Sequence, residues 1–245
     1  MYRVKICGIT HRGKMRDRNE DALLMNDMIL QEEVMSSPLC FEREGGHFIF
    51  AVADGLGGHA AGEMASKLAL QTLMELRPKN LEDIVSTLHK ARDRLEEFAR
   101  ENAYAYGLGT AVAGLVLSDE GFFVFNVGDC RVYGLEDEKI KRLTVDHTEV
   151  ERLVRLGYIS EEEAKSHPNR HMLTSALIGN PSFEEFEVHI KKVNSYKSFL
   201  ICSDGLWEAV ENYELFLTPS ELLLLALKRG GKDNISILRL RVFQK

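Results

Sequence analysis

Phe48-Ile49-Phe50-Ala51-Val52-Ala53-Asp54-Gly55-Leu56-Gly57-Gly58-His59 decides how the rest of the chain is read. Six apolar residues in succession predict a strand covered on both faces. That strand ends on an acid, three glycines follow within four residues, and Ala60-Ala61-Gly62-Glu63 opens a helical pattern. An aspartate at the end of a buried strand, beside backbone free to adopt positive φ, suits a cation better than it suits packing. Taken alone, the stretch reads equally well as a glycine-rich turn with Asp54 as a helix cap.

Working outward, the same junction recurs. Phe122 to Val127 is an apolar run that ends in Gly128-Asp129, and Ser198 to Cys202 ends in Ser203-Asp204-Gly205. Gly230-Gly231-Lys232-Asp233-Asn234 enters a last predicted strand, Ile235 to Val242. Near the N-terminus, a predicted strand over Val4 to Thr10 is followed by a polar cluster, and Glu20-Asp21 abuts the apolar Ala22 to Met25. Acids are rarely buried unless paired or bound to metal. Asp54, Asp129, Asp204 and Asp233, with Glu20 and Asp21 and no matching set of basic residues, suggest carboxylates converging on hard cations. Donors that are all oxygen select Mg²⁺ or Mn²⁺ over zinc. Two such ions, about 3.5–4 Å apart, can activate a water and clamp a phosphoryl oxygen. Arg16, close in sequence to Glu20 and Asp21, is the arginine placed to fork onto a phosphate.

The remaining stretches supply the frame. Apolar residues at helical spacing after His59 run to Pro78, and Asn80 with Asp83 caps a second helix; together they predict a layer laid on a sheet. Gly109 to Leu117 should pair with Phe122 to Val127, and Arg131 to Leu135 with Lys139 to Leu143, as hairpins. Asn26 to Gly46 reads as a long polar excursion without chemistry of its own. Asp146, three residues before Glu149, has the form of a capping box and is read as a helix cap. Ser160 with Glu163 and Thr218-Pro219-Ser220-Glu221 mark two further helix starts. His167 and His171 are rejected as a zinc pair because Pro168 breaks the helical spacing between them. Phe183 to Ile190 and Ser198 to Cys202 are predicted strands.

Composition bounds the class. The chain has 245 residues, is 44% hydrophobic and carries a formal net charge of -7. Length and apolar content suffice for a sizeable core. The acidic balance, without a basic stripe, argues against nucleic acid as a partner. No apolar run is long enough to span a membrane, and the first residues lack the apolar core of a signal peptide, so a cytoplasmic location is expected. Cys7, Cys40, Cys130 and Cys202 form no CxxC pair and are expected to be reduced, buried thiols.

As an ordered set, Arg16-Asp17-Arg18-Asn19-Glu20-Asp21, Asp54-Gly55-Leu56-Gly57-Gly58-His59, Gly109-Thr110, Gly128-Asp129-Cys130-Arg131, Ser203-Asp204-Gly205 and Asp233-Asn234 resemble the motifs of the metal-dependent protein phosphatases, type 2C, in their bacterial form. The resemblance covers nearly the whole chain. It implies an α+β fold, a four-layer α/β/β/α sandwich of two antiparallel sheets flanked by helices. It implies one phosphatase domain over 1–245, with a small helical flap at about 147–171. The implied activity, in signal transduction, is hydrolysis of phosphoserine and phosphothreonine by a water held between two Mn²⁺ or Mg²⁺ ions. By the same resemblance Asp54 bridges the two ions, the Gly55 carbonyl binds one of them, and Asp204 and Asp233 bind the other. Glu20 and Asp21 hold metal-bound water, Asp129 joins Asp204 at a weaker third ion, Arg16 binds the substrate phosphate, and His59 is the general acid. The implied partners are phosphorylated proteins made by a serine/threonine kinase, with the phosphatase a monomer.

Four departures from the family pattern stand out: Cys130 in place of a serine, Ala111 in place of a threonine, one extra residue in Ala176-Leu177-Ile178-Gly179, and Glu208 where some relatives place an acid for the third metal. None removes a core ligand, which weighs against a catalytically silent phosphoprotein-binding module on this fold. A regulatory phosphatase dedicated to one partner would be expected to carry an added sensory domain. A two-metal nuclease conflicts with the acidic surface.

Overall fold

The computed structural model describes residues 1–57, 60–137, 139–183, 185–193 and 196–244. Strands β1 (Tyr2–His11) and β2 (Asp21–Met25) are joined by the polar stretch that carries Arg16, and β3 (Ile29–Leu30), β4 (Leu39–Gly45) and β5 (Phe48–Leu56) follow. Helices α1 (Ala60–Leu76) and α2 (Leu81–Glu101) lead into β6 (Gly109–Ser118), β7 (Gly121–Val127), β8 (Arg131–Glu136) and β9 (Lys139–Arg142). Two short helices, α3 (Glu149–Arg155) and α4 (Glu161–Ser166), precede β10 (Leu177–Ile178), β11 (His189–Val193) and β12 (Ser198–Cys202). The chain ends with α5 (Asp204–Trp207), α6 (Pro219–Lys228) and β13 (Ile235–Gln244).

The strands build two antiparallel sheets, one in the order β4-β1-β13-β12-β8-β9 and the other β11-β7-β6-β5-β2-β3, with β10 beside β6. Side-chain alternation along the strands assigns their buried apolar residues to one of three layers. Phe48, Phe50 and Val52 of β5 meet Val4 and Ile6 of β1 and Leu238 and Leu240 of β13 between the sheets. The intervening Ile49, Ala51 and Ala53 face α1 and α2, against Ala65, Leu70, Leu88 and Leu95. On the far side, Ile235 and Ile237 of β13 pack on Leu222, Leu223 and Ala226 of α6. The uninterrupted apolar run of β5 is thus explained: helices cover one face and the second sheet covers the other. The result is the expected four-layer sandwich. Helix starts follow their caps, with Asn80 on the Asp83 N–H and capping boxes at Ser160 and Thr218.

Four expectations need correction. Asn26 to Gly46 is not an unstructured excursion: it contains β3 and the edge strand β4, which pairs with β1 over its whole length. Its exposed residues hide the alternation that would mark a strand. Cys7 and Cys40 are not free thiols; they lie opposite each other in the β1–β4 register and form a disulfide. Cys130 and Cys202 are free and buried. The strand expected over Phe183 to Ile190 begins only at His189, after a 3-10 turn at Pro181–Phe183. Asp146 does not cap α3; Thr148 does, accepting from the Glu151 N–H. The buried Asp146 instead pairs with Arg131 and Arg142, which satisfy a carboxylate better than one amide.

Among the described residues no helix is long and apolar enough to cross a membrane.

The layers predict unequal mutational costs. Phe50 is fully buried and its ring lies 6.0 Å from that of Phe48, between the sheets. Phe50→Ala should cost about 3–5 kcal/mol in urea denaturation, whereas Thr218→Ala should cost only about 1 kcal/mol, the worth of its cap.

Candidate metal centre

One end of the sandwich gathers the acids. Asp21 of β2 and Asp54 of β5 face each other in register on adjacent strands. Asp204 opens α5 directly after β12, and Asp233 precedes β13. Two glycines allow the approach. A Cβ on Gly205 would lie 2.0 Å from the Asn234 carbonyl oxygen, so the turn that carries Asp233 rests on the start of α5. A Cβ on Gly55 would lie 2.1 Å from the Gly62 carbonyl oxygen, so the first turn of α1 lies against the strand end that bears Asp54. Asp129 comes from the turn between β7 and β8.

Neutral groups hold these acids in place. The Ser203 hydroxyl donates to Asp21 Oδ2 at 2.7 Å and accepts from the Ser236 N–H at 3.1 Å. Ser236 Oγ and Thr10 Oγ1 lie 2.7 Å apart, and Asn19 Nδ2 donates to Thr10 Oγ1. Asn234 Oδ1 accepts from the Glu20 N–H at 2.8 Å, while its amide donates to the carbonyls of Arg12 and Arg18. Glu20 stands against the first turn of α1, where a Cβ on Gly62 would meet its carboxyl carbon at 2.7 Å. The Thr110 hydroxyl donates to the Asp54 carbonyl at 2.8 Å. None of Thr10, Asn19, Ser203, Ser236 and Asn234 carries a role in the sequence pattern, although Asn19, Ser203 and Asn234 sit inside the family-like motifs. Their only signal is that they adjoin the acids or lie across a strand from them.

Burial and mutual repulsion raise the carboxyl pKa values. Burial pushes Asp21 up to about 7, with the charges of Asp233 and Glu20 adding to it against hydrogen bonds from Ser236 and Ser203. Asp54 is raised well above the usual range, first by burial and then by Asp21, Asp204, Asp129 and Asp233. Asp204 is raised by burial, then by Asp129, Asp233, Glu208 and Asp21. Burial, then Asp146, pushes Asp129 up to about 7. Asp21 Oδ1 and Asp204 Oδ1 are buried without a hydrogen-bond partner among the described residues. Orphaned buried oxygens in a set of like charges are what a hard divalent cation would satisfy. The donor set therefore fits Mg²⁺ or Mn²⁺.

Arg16 reaches this cluster by a different route from the one its sequence neighbours suggest. Its Nη2 donates to Asp233 Oδ2 at 2.7 Å, not to Glu20 or Asp21. That bond, with the charges of Asp204 and Asp54 behind it, raises the guanidinium pKa despite partial burial. The guanidinium is more than half exposed at the mouth of the cluster. His59 lies outside the described residues. His171, set aside in the sequence, comes within 3.1 Å of Glu208 Oε1 through Nδ1. It shares with Asp204 and Glu208 a set of donor atoms all within 4.8 Å of one another. Chain folding, not helical spacing, makes that neighbourhood.

The family model described as Protein phosphatase 2C matches residues 38–235. The serine/threonine phosphatase stp of Listeria monocytogenes serovar 1/2a is 30% identical over 248 aligned positions, covering 94% of this chain and 92% of that protein. The serine/threonine protein phosphatase PstP of Mycobacterium tuberculosis is 30% identical over 240 positions, covering 92% of this chain but 42% of that protein. The crystal structure of the Mycobacterium tuberculosis phosphatase PstP/Ppp superposes with a TM-score of 0.79 at 27% identity, covering 98% of each chain. The catalytic domain of PstP in complex with two manganese ions superposes with a TM-score of 0.78 at 26% identity and full coverage of both chains.

The raised carboxyl pKa values set a sign for stability. A carboxyl that ionises near 4 when unfolded and higher when folded stabilises the fold at low pH. It loses that contribution as pH rises through the folded value. The histidines whose pKa burial lowers, His11, His47, His147 and His189, act oppositely, but only below about pH 7. In EDTA, the melting temperature should therefore fall from pH 7 to pH 9. Saturating Mn²⁺ should raise it by an increment that grows with pH, because the metal replaces protons on the same oxygens. Differential scanning calorimetry with and without Mn²⁺ checks both; an increment independent of pH would remove the acids as ligands.

Proposed function

The chain belongs to the Protein phosphatase 2C family, and we propose that, as a serine/threonine protein phosphatase, it hydrolyses phosphoserine and phosphothreonine in proteins phosphorylated by a serine/threonine kinase. The observation that carries this reading is the cluster of Asp21, Asp54 and Asp204 with the partly exposed Asp233, with orphaned oxygens on Asp21 and Asp204 and Arg16 at its mouth. The Mn²⁺-bound relative supports manganese as the cation, with Mg²⁺ as the alternative hard ion.

In this reading Asp54, the Gly55 carbonyl, Asp204 and Asp233 would hold two cations, Glu20 and Asp21 would orient water beside them, and Asp129 with Asp204 would hold a third. Bound there, such ions supply Lewis-acid polarisation of the phosphoryl group and an activated water. The residues of the chain do the rest. Arg16 binds the phosphate dianion through its fork, exchanging the single Asp233 oxygen for two phosphoryl oxygens. Its side chain is anchored near the acids before substrate arrives, which reduces the ordering cost of binding. The leaving serine or threonine oxygen needs a proton, and His59 is the residue proposed to give it. The 147–171 segment is assigned as the flap beside the site, and the whole of 1–245 as one catalytic domain that acts as a monomer.

The first experiment is phosphate release from a phosphothreonine peptide in Mn²⁺, Mg²⁺ or EDTA. Release that requires added metal is expected; none with either ion, from folded protein, would favour a module that binds phosphoproteins without cleaving them. Asp204→Asn should abolish turnover while the circular dichroism spectrum is kept. Arg16→Ala should raise KM more than it lowers kcat, since Arg16 is assigned to binding the phosphate and not to the attacking or leaving oxygen; an unchanged KM would take Arg16 out of the site.

A further inference from the structure

Arg131 lies in a quoted motif, yet nothing in the proposed reaction uses it. Its Nε donates to both Asp146 carboxylate oxygens at 3.0 Å, and Nη2 donates to Oδ2 at 2.5 Å. The pair is largely withdrawn from water, with side-chain exposures of 15% for Arg131 and 3% for Asp146. The guanidinium carbon also lies 3.5 Å from the centroid of the Trp207 ring, a cation–π stack. A third limb reaches Tyr133, whose hydroxyl accepts from Nη1 at 3.1 Å.

Two of these partners, Trp207 and Asp146, lead to different parts of the structure around the acids. Trp207 closes α5, the helix that Asp204 opens, and its indole N–H donates to the Asp129 carbonyl at 3.0 Å. Asp146 stands at the root of the 147–171 segment and also accepts from Arg142 Nη1 at 3.4 Å. Arg142 continues to both oxygens of Glu151 on α3, at 3.1 and 3.0 Å. The root is fastened again at its next residue. His147 N–H donates to the Gly128 carbonyl at 2.9 Å, and His147 Nδ1 accepts from the Gly128 N–H at 3.0 Å. Arg131 is therefore the junction between the turn of Asp129, the helix of Asp204 and the base of the segment beside them.

We propose that Arg131 is a positioning residue that locks the root of the 147–171 segment to the elements bearing Asp129 and Asp204, so that one guanidinium sets both cation affinity and peptide binding. The inference rests on the phosphatase reading above. Only an arginine can serve all the limbs: a lysine keeps the charge beside Asp146 but has neither the planar fork nor the stacking face.

The test compares three variants of the whole protein with the wild type. Arg131→Lys removes the fork and the stack. Trp207→Phe keeps a ring under the guanidinium and removes only the indole donor on Asp129. Arg142→Gln cuts only the arm to α3. Mn²⁺ binding is read by titration calorimetry, and steady-state kinetics at saturating Mn²⁺ use a phosphothreonine peptide and p-nitrophenyl phosphate. Arg131→Lys should weaken the weakest Mn²⁺ site ~10-fold, as loss of a group that orients a ligand does. It should also raise the peptide KM ~5-fold while leaving the p-nitrophenyl phosphate KM within ~2-fold. Trp207→Phe should show only the metal effect, and Arg142→Gln only the peptide effect. An Arg131→Lys protein that matches the wild type in both, or one that loses thermal stability with no such split, would overturn the proposal. If Arg131→Lys fails to fold, the opposite selectivities of the other two variants decide. Should the wild type cleave neither substrate, the phosphatase reading fails. The Mn²⁺ isotherm and the amide-exchange protection of residues 149–166 in the same variants would then still decide the role of Arg131.

Discussion

Like charge gathered where water is scarce governs this molecule. Burial raises the carboxyl pKa values of Asp21, Asp54 and Asp204; Asp21 and Asp204 raise Asp54 further, Asp21 raises Asp204, and Asp233 adds to all three. Such a group is tolerated only if protons or cations offset it, so the protein is built to be completed by something it binds. The sandwich makes the arrangement possible by bringing strand ends from both sheets to one place and covering them with the first turns of α1 and α5. The energy to hold the charges together comes from elsewhere, from the apolar layers on either side of each sheet.

The supports around the acids are almost all neutral. Ser203, Ser236, Thr10, Asn19 and Asn234 fix position through hydrogen bonds without cancelling the negative field. A lysine in the same place would have supplied the compensating charge internally and left nothing for a metal to do. Two arginines bring positive charge against these acids in different ways. Arg16 sits at the mouth, where it can exchange partners, and Arg131 sits behind Asp129, where its own carboxylate partner Asp146 absorbs it.

Most of the frame was legible because burial writes itself into apolar runs. Phe48 to Ala53 must be covered on both faces, and it is. The acids were legible because aspartates beside glycine repeatedly ended such runs. What escaped had a local pattern that fitted two outcomes, or none. Asp146 with Glu149 satisfies the capping-box spacing, but a pair of arginines from β8 and β9, unseen from spacing, outbid the amide and left the cap to Thr148. Strand β4 reads as polar loop because its side chains face solvent and its hydrogen bonds to β1 have no signature in sequence. The Cys7–Cys40 link is invisible for the same reason, since only the register of those two strands brings the residues together. Arg16 was legible as an arginine beside the acids, but its bond to Asp233, 217 residues away, was not, because nothing in sequence joins the two turns.

Strand β4 has a further consequence, for association between molecules. A sheet that ends in solvent offers a row of unpaired amides and carbonyls on which a foreign strand could grow. Here each margin is defended differently. β4 carries Glu42, Arg43 and Glu44 and is fastened to β1 by a covalent bond, so it cannot peel away and bare a more apolar neighbour. β9 carries Lys139 and Lys141, and β11 carries Lys191 and Lys192. β3 is two residues long, too short to template anything. A protein whose interior alternates so regularly in strands is an obvious candidate for runaway cross-β growth, and its margins are the reason that the native state resists it.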